Sequence, residues 1–266
     1  MRFASNNDAF SNTQLIVLKD HNWFEKQKFA GSVVATCLKS VKSLIEQQTP
    51  NLSLKDLEAE CEKIMEEAKC IPTFKNYKGF PGSICTSVNN CLVHGIPTKY
   101  MLQPGDVVSI DIGATFDGVI GDAAITCIYG APKHKEHTRL IDTCWGALYA
   151  AIKSVVIGNQ IGCIGDAIHN YGKTSGFHFI TNYGGHGLAH NTLHAQPFVP
   201  NKSKRNEGIR IQHGLSIAIE PMLAIGSAKT ITTNDGWTVK TKDISAHVEH
   251  TIFVGEDRVH VMTEGV

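Results

Sequence analysis

The sequence predicts an α+β fold made of two similar halves, on three observations. Two segments with helical apolar spacing precede a run of short β-branched segments, the same order then repeats, and the chain closes in strand and loop. With 266 residues, 42% of them hydrophobic, and no low-complexity or linker-like stretch, residues 1–266 read as a single domain with two lobes and a sizeable core. No residue-level repeat accompanies the coarse duplication.

Residues 1–20 hold only one short apolar run, Leu15 to Leu18, before Lys19 and Asp20. That is too brief for a signal-peptide core or a membrane span, so a cytoplasmic location without membrane contact is expected. Over 24–48, Phe29, Val33, Val34, Cys37, Val41, Leu44 and Ile45 recur at helical spacing until Pro50 stops them. Ser53 and Asp56 form a capping-box pattern ahead of a second stripe, Leu54, Leu57, Cys61, Ile64 and Met65, which predicts a helix to about residue 70. From 79 to 129 the pattern becomes strands punctuated by Pro104-Gly105-Asp106 and Asp117-Gly118. Helical periodicity returns over 135–156 and 164–174, and from Phe177 onward the chain reads as strand and loop.

The 25 Lys and Arg balance the 25 Asp and Glu, so no net field gathers nucleic acid or an anionic membrane, and small or uncharged partners are the default. Eight cysteines without a Cys-x-x-Cys pair fit neither a zinc knuckle nor a disulfide framework; they read as reduced, buried small hydrophobes.

The chemistry begins at the hairpin centred on Asp117-Gly118. A two-residue turn there puts Asp111 opposite Ala124 and Asp122 opposite Gly113. Side chains alternate with period two, so both aspartates fall on one face as diagonal neighbours about 7–8 Å apart. Two acids on an apolar strand face repel and lose hydration unless a divalent cation compensates; the alternative is that one caps the turn and the other is solvated. His186 lies among glycines in Gly184-Gly185-His186-Gly187, where the backbone can approach a ligand closely. Glu220 ends the apolar run 215–219, and Glu249 interrupts a strand-like segment over 246–254, each an acid whose burial is costly without a partner. Two aspartates, a histidine and two glutamates make a hard, oxygen-rich set suited to Mn, Fe or Co rather than a thiolate-bound structural zinc. A pair of such ions provides a metal-assisted route to amide hydrolysis.

Around these five residues stand His94-Gly95-Ile96-Pro97, Gly185-His186-Gly187, Ile219-Glu220-Pro221-Met222, and Asp235-Gly236-Trp237-Thr238-Val239-Lys240-Thr241-Lys242-Asp243 followed by Glu249-His250-Thr251. With the Asp111–Asp122 spacing, these ordered motifs span nearly all of the chain, which resembles the type I methionine aminopeptidases in their short form, without an N-terminal zinc-binding extension. The resemblance implies a two-lobed, pseudo-symmetric pita-bread fold. It implies two divalent ions (Co, Mn, Fe or Zn) held by Asp111, Asp122, His186, Glu220 and Glu249, with Glu249 bridging and Glu220 also handling the proton of the bridging water. It gives His94 a contact with substrate near the scissile amide and His194 a hydrogen bond to the scissile carbonyl or tetrahedral intermediate. Phe74, Tyr77, Phe80, Leu193 and Trp237 match the lining of the methionine pocket, and Asn89, Cys91 and Ser245 match a loop that holds a monovalent cation in relatives.

The implied activity is removal of the initiator methionine from nascent chains with a small second residue, at the ribosome, by a cytoplasmic monomer. The sequence departs from the family pattern at Asn90, where an acid is common, and at Leu193, where an aromatic is typical. The stretch from His186 to His194 is one residue longer than usual, and that from Asp243 to Glu249 is shorter. Two rivals share the scaffold: a proline-directed peptidase, disfavoured by the Trp237–Asp243 segment, and a catalytically dead binding protein, disfavoured by retention of all five ligands.

Overall fold

The computed structural model describes residues 16–265; residues 1–15, on which most of the expectation about a leader or membrane segment falls, lie outside the described residues, as does Val266. Among the described residues no helix is long and apolar enough to cross a membrane.

The first helix, α1 (His21–Glu46), starts three residues before the spacing predicts. The Asp20 carboxylate caps it by accepting from the Trp23 amide at 2.8 Å. α2 (Leu54–Glu67) carries both halves of the expected Ser53–Asp56 capping box. It stops before residue 70 because Lys69 adopts a left-handed φ of 57°, which ends helical bonding. α3 (Lys135–Ser154) and α4 (Gly162–Gly172) fall within two residues of their predicted limits.

The strands Asp106–Phe116 and Val119–Tyr129 form a hairpin whose turn residues, Asp117 and Gly118, have φ of 47° and 76°, the type I′ pattern that matches strand twist. α1 and α2 bury their apolar stripes on this hairpin, in a core that includes Leu38, Val41, Leu57, Ile110 and Ile125. α1 crosses it closely enough that a Cβ on Gly121 would lie 2.6 Å from the Gly31 nitrogen. The second half repeats the plan: α3 and α4 share a core with the central strands that contains Leu140, Leu148, Ile164, Ile217 and Ile252. This half has its own hairpin, Gly184–Ala189 with Thr192–Pro200.

Both halves contribute to one antiparallel nine-stranded sheet. Its path runs Ile71–Pro72, Asp106–Phe116, Val119–Tyr129, Glu249–Val254, Ser216–Ile219, Gly184–Ala189, Thr192–Pro200, and two further strands pair beside it, Cys85–Val88 with Asp106–Phe116 and Val259–Val261 with Glu249–Val254. The fold class is therefore the expected one. Gln27, fully buried on α1, ties the lobes: its amide donates to the Ile120 carbonyl and accepts from the Ser216 hydroxyl, both at 2.9 Å. All eight cysteines are free and buried, as their spacing suggests.

Two central strands change sheets at the same level. Ser216–Ile219 continues after Glu220-Pro221 as Met222–Ala224, and the strand before Val248, Ser245–His247, continues as Glu249–Val254. The pairs Ile219–His250 and Met222–His247 lie in one antiparallel register, so the break leaves Glu220 opposite Glu249. Pro221 supplies no amide donor, and its carbonyl accepts from Val248 at 3.5 Å.

Candidate active site

Register alone gathers the acids. Asp111 faces Ala124, Ala124 faces Glu249, and Asp122 faces Gly113, the pairing that the hairpin turn predicts. With Glu220 opposite Glu249, four carboxylates from four adjacent chain segments occupy one face at the centre of the sheet. Asp122 is also fixed through its backbone: the Thr251 hydroxyl accepts from its amide at 2.9 Å and donates to its carbonyl at 2.7 Å.

His186 joins them from the neighbouring strand, where Gly187 pairs with Ile217. Its Nε2 is 3.7 Å from an Asp122 oxygen and 3.8 Å from a Glu220 oxygen. Nδ1 lies 3.1 Å from the Gly187 carbonyl, which can only accept, so Nδ1 carries the proton and the Nε2 lone pair points at the acids. Burial also holds the imidazole below its ordinary pKa, which keeps it neutral and makes the close carboxylates ligand neighbours rather than ion-pair partners.

The structure thus brings together all five residues that the sequence singles out. Ligand atoms of Asp122, His186 and Glu249 lie within 4.8 Å of one another, and so do those of Glu220, His247 and Glu249. Asp111 belongs to neither triad, yet it lines the same cavity and its carboxyl contacts that of Asp122. Asp111 Oδ1, Asp122 Oδ1, Glu249 Oε1 and His247 Nε2 are buried without a hydrogen-bond partner. Acids and imidazoles so arranged fit divalent cations, which would satisfy them together.

Burial pushes Asp111 up to about 7, with the negative Glu220 adding to the effect, and pushes Glu220 up to about 7 as well. Asp122 and Glu249 are held well above the ordinary carboxylate range, first by desolvation and then by the neighbouring acids. A raised folded-state value means that the folded chain holds protons the unfolded chain has released. The associated stability is fully present below about pH 4 and declines as pH rises through about 7. The metal-free chain should therefore lose thermal stability across that window, and added Mn or Co should raise Tm more at pH 8 than at pH 5. Thermal melts at both pH values, with and without metal, check this; an equal metal effect at the two would contradict it.

A cavity of about 200 Å³ opens over the acids. Phe74, Phe80, Leu193, Tyr77 and Trp237, the five matched pocket positions, form one apolar cluster on its wall, with Phe80 and Trp237 edge to face at 5.2 Å. Phe74 sits over Gly113, where a Cβ would come within 2.7 Å of its ring, so the glycine opposite Asp122 makes room for the aromatic. His94 lines the cavity in a left-handed conformation, φ 58°, and burial together with nearby His247 lowers it to about 4. His194 stands beside His186, ring centroids 4.5 Å apart, and its Nδ1 shares a 2.8 Å hydrogen bond with the Tyr77 hydroxyl. In the Asn89 loop, the Ser245 hydroxyl donates to the Asn89 and Cys91 carbonyls at 3.3 Å each, so these three groups also converge.

Sequence reasoning missed His247. Its signal was available in Ala246-His247-Val248-Glu249: a histidine two residues before a buried acid shares that acid's face of a strand. The residue is 2% exposed and its Nε2 lies 3.3 Å from Glu220 and 3.8 Å from Glu249.

Comparison with known proteins shows the family. Residues 25–256 match the model for metallopeptidase family M24. The methionine aminopeptidase of Mycoplasma capricolum is 40% identical over 252 residues, covering 94% of this chain and 99% of the relative. That of Aquifex aeolicus is 40% identical over 260 residues, with the same coverage of both chains. The crystal structure of methionine aminopeptidase from Thermotoga maritima superposes with a TM-score of 0.90 at 34% identity, covering 94% of this chain and all of the other.

Proposed function

This chain belongs to metallopeptidase family M24, and from that premise we propose that it is a methionine aminopeptidase whose dinuclear centre is held by Asp111, Asp122, His186, Glu220 and Glu249. The observation that carries the ligand set is the convergence of four acids and a neutral imidazole on one sheet face, with several of their atoms buried and unsatisfied. When bound, two divalent ions supply Lewis acidity and a nucleophilic water at neutral pH.

The remaining chemistry belongs to the side chains. Glu220 lines the cavity with its two oxygens beside His186 and His247, a position from which a carboxylate can take a proton from an attacking water and return it. A Tyr77 hydroxyl that donates to His194 Nδ1 puts the imidazole proton on Nε2, the tautomer that can donate to the scissile carbonyl oxygen as charge develops there. His94, which also lines the cavity, contacts the substrate beside the scissile amide. The apolar wall of Phe74, Tyr77, Phe80, Leu193 and Trp237 receives the unbranched thioether side chain and excludes water from it.

The finer reading follows the family resemblance: cleavage of the initiator methionine ahead of a small second residue, on nascent chains at the ribosome, by a cytoplasmic monomer with no direct nucleic-acid readout. The resident ions are drawn from Co, Mn, Fe and Zn. A monovalent cation is proposed among the Asn89 and Cys91 carbonyls and the Ser245 hydroxyl, on the strength of their convergence.

The test compares purified, Mn- or Co-loaded protein on Met-Ala-Ser and on an Xaa-Pro dipeptide. Release of methionine from the first, with no cleavage of the second, is expected. Failure to cleave any Met-initiated peptide would favour the binding-protein reading, and preference for Xaa-Pro would favour the proline-directed one. His194→Ala should lower turnover about 10²-fold while metal content stays at the wild-type level. Parallel loss of metal, measured by elemental analysis, would place His194 among the ligands instead.

A further inference from the structure

We propose that His247 is a sixth protein ligand of the dinuclear centre, so that each of its two ions is bound by one imidazole. The inference rests on the dinuclear reading above and extends it to a residue that reading does not use. The two compact triads share Glu249 and otherwise differ: Asp122 and His186 complete one, Glu220 and His247 the other. Glu220 spans them, one carboxylate oxygen 3.8 Å from His186 Nε2 and the other 3.3 Å from His247 Nε2. The centre is therefore nearly symmetric about Glu249, with a histidine on each side.

Three features favour ligation over a packing role. His247 is 98% buried, counting from its 2% exposure, and its Nε2 has no hydrogen-bond partner, so the imidazole is desolvated with one ring nitrogen unsatisfied. That nitrogen faces the acids because the strand alternation that directs Glu249 into the cavity directs His247 there as well. Its approach to Glu220 and Glu249 at 3.3 and 3.8 Å is not aligned as a hydrogen bond, whereas an ion among them would meet all three donor atoms. A second imidazole makes the centre richer in nitrogen and more favourable to Co or Zn relative to Mn than a single-histidine centre would be.

The experiment titrates metal-depleted wild type, His247→Ala and His247→Gln with Co(II), following stoichiometry by calorimetry and histidine ligation by proton NMR of the Co(II) protein. In such spectra each ligating imidazole shows its own strongly shifted, solvent-exchangeable ring N–H. Wild type should bind two equivalents and display two such signals. Each variant should lose one signal and weaken one equivalent by at least about tenfold, leaving the other within about threefold. The proposal is overturned if saturated wild type shows a single histidine signal, or if both variants keep two equivalents at wild-type affinity. The wild-type spectrum decides the matter even if a variant fails to fold. Failure of wild type to bind two equivalents would instead overturn the dinuclear reading itself, so the two failures are distinguishable.

Discussion

Glu220→Gln is expected to lower kcat on Met-Ala-Ser about 10³-fold, a loss of about 4 kcal/mol of transition-state stabilisation, with KM within about threefold of wild type. The amide matches the carboxylate in shape and keeps one oxygen available as a ligand, but it cannot accept and return a proton at neutral pH. Glu220 is placed for that work: it lines the cavity, and His186 and His247 flank its two oxygens. Steady-state kinetics on protein whose metal content is measured in parallel separates proton handling from ligation. Turnover near wild type would remove Glu220 from the proton-transfer role, and a loss explained wholly by missing metal would reduce it to a ligand.

Glu249→Gln should abolish activity and, in the metal-free chain, raise stability. Glu249 is the residue common to both triads and is almost completely buried, with its carboxyl held well above the ordinary range by desolvation and by Asp122, Glu220 and Asp111. Removing its charge relieves repulsion that only metal otherwise offsets. At pH 8 the metal-free variant should melt several degrees above metal-free wild type, since about 1 kcal/mol corresponds to roughly 2–4 °C in a domain of this size. The order should reverse with saturating Mn, which stabilises wild type and gains little purchase on the variant. Calorimetric melts of both proteins with and without metal check the crossing; a variant less stable than wild type in both conditions would contradict it.

Much of this site was legible because strand geometry is periodic. The Asp117-Gly118 turn set the register of its hairpin, and that register placed Asp111 opposite Ala124 and Asp122 opposite Gly113 without any tertiary information. Helix limits were less legible where a side chain or an unusual dihedral decided them, as with the Asp20 cap on α1 and Lys69 at the end of α2. The strand around Glu249 read as a single run, yet it divides at Val248 because its partner divides at Pro221, a long-range pairing that no local pattern reveals. His247 was legible only in part: alternation puts it on the face of Glu249, but its nearness to Glu220 depends on the register of two strands distant in sequence.

The gathering of buried acids around divalent ions is tested most directly by equilibrium dialysis of the metal-depleted chain against manganese at pH 7.5. Two ions should be retained per wild-type chain, and none at stoichiometric level by a chain carrying Asp122→Asn and Glu249→Gln together. Retention of the same number by both proteins, or of none by wild type, would contradict the account.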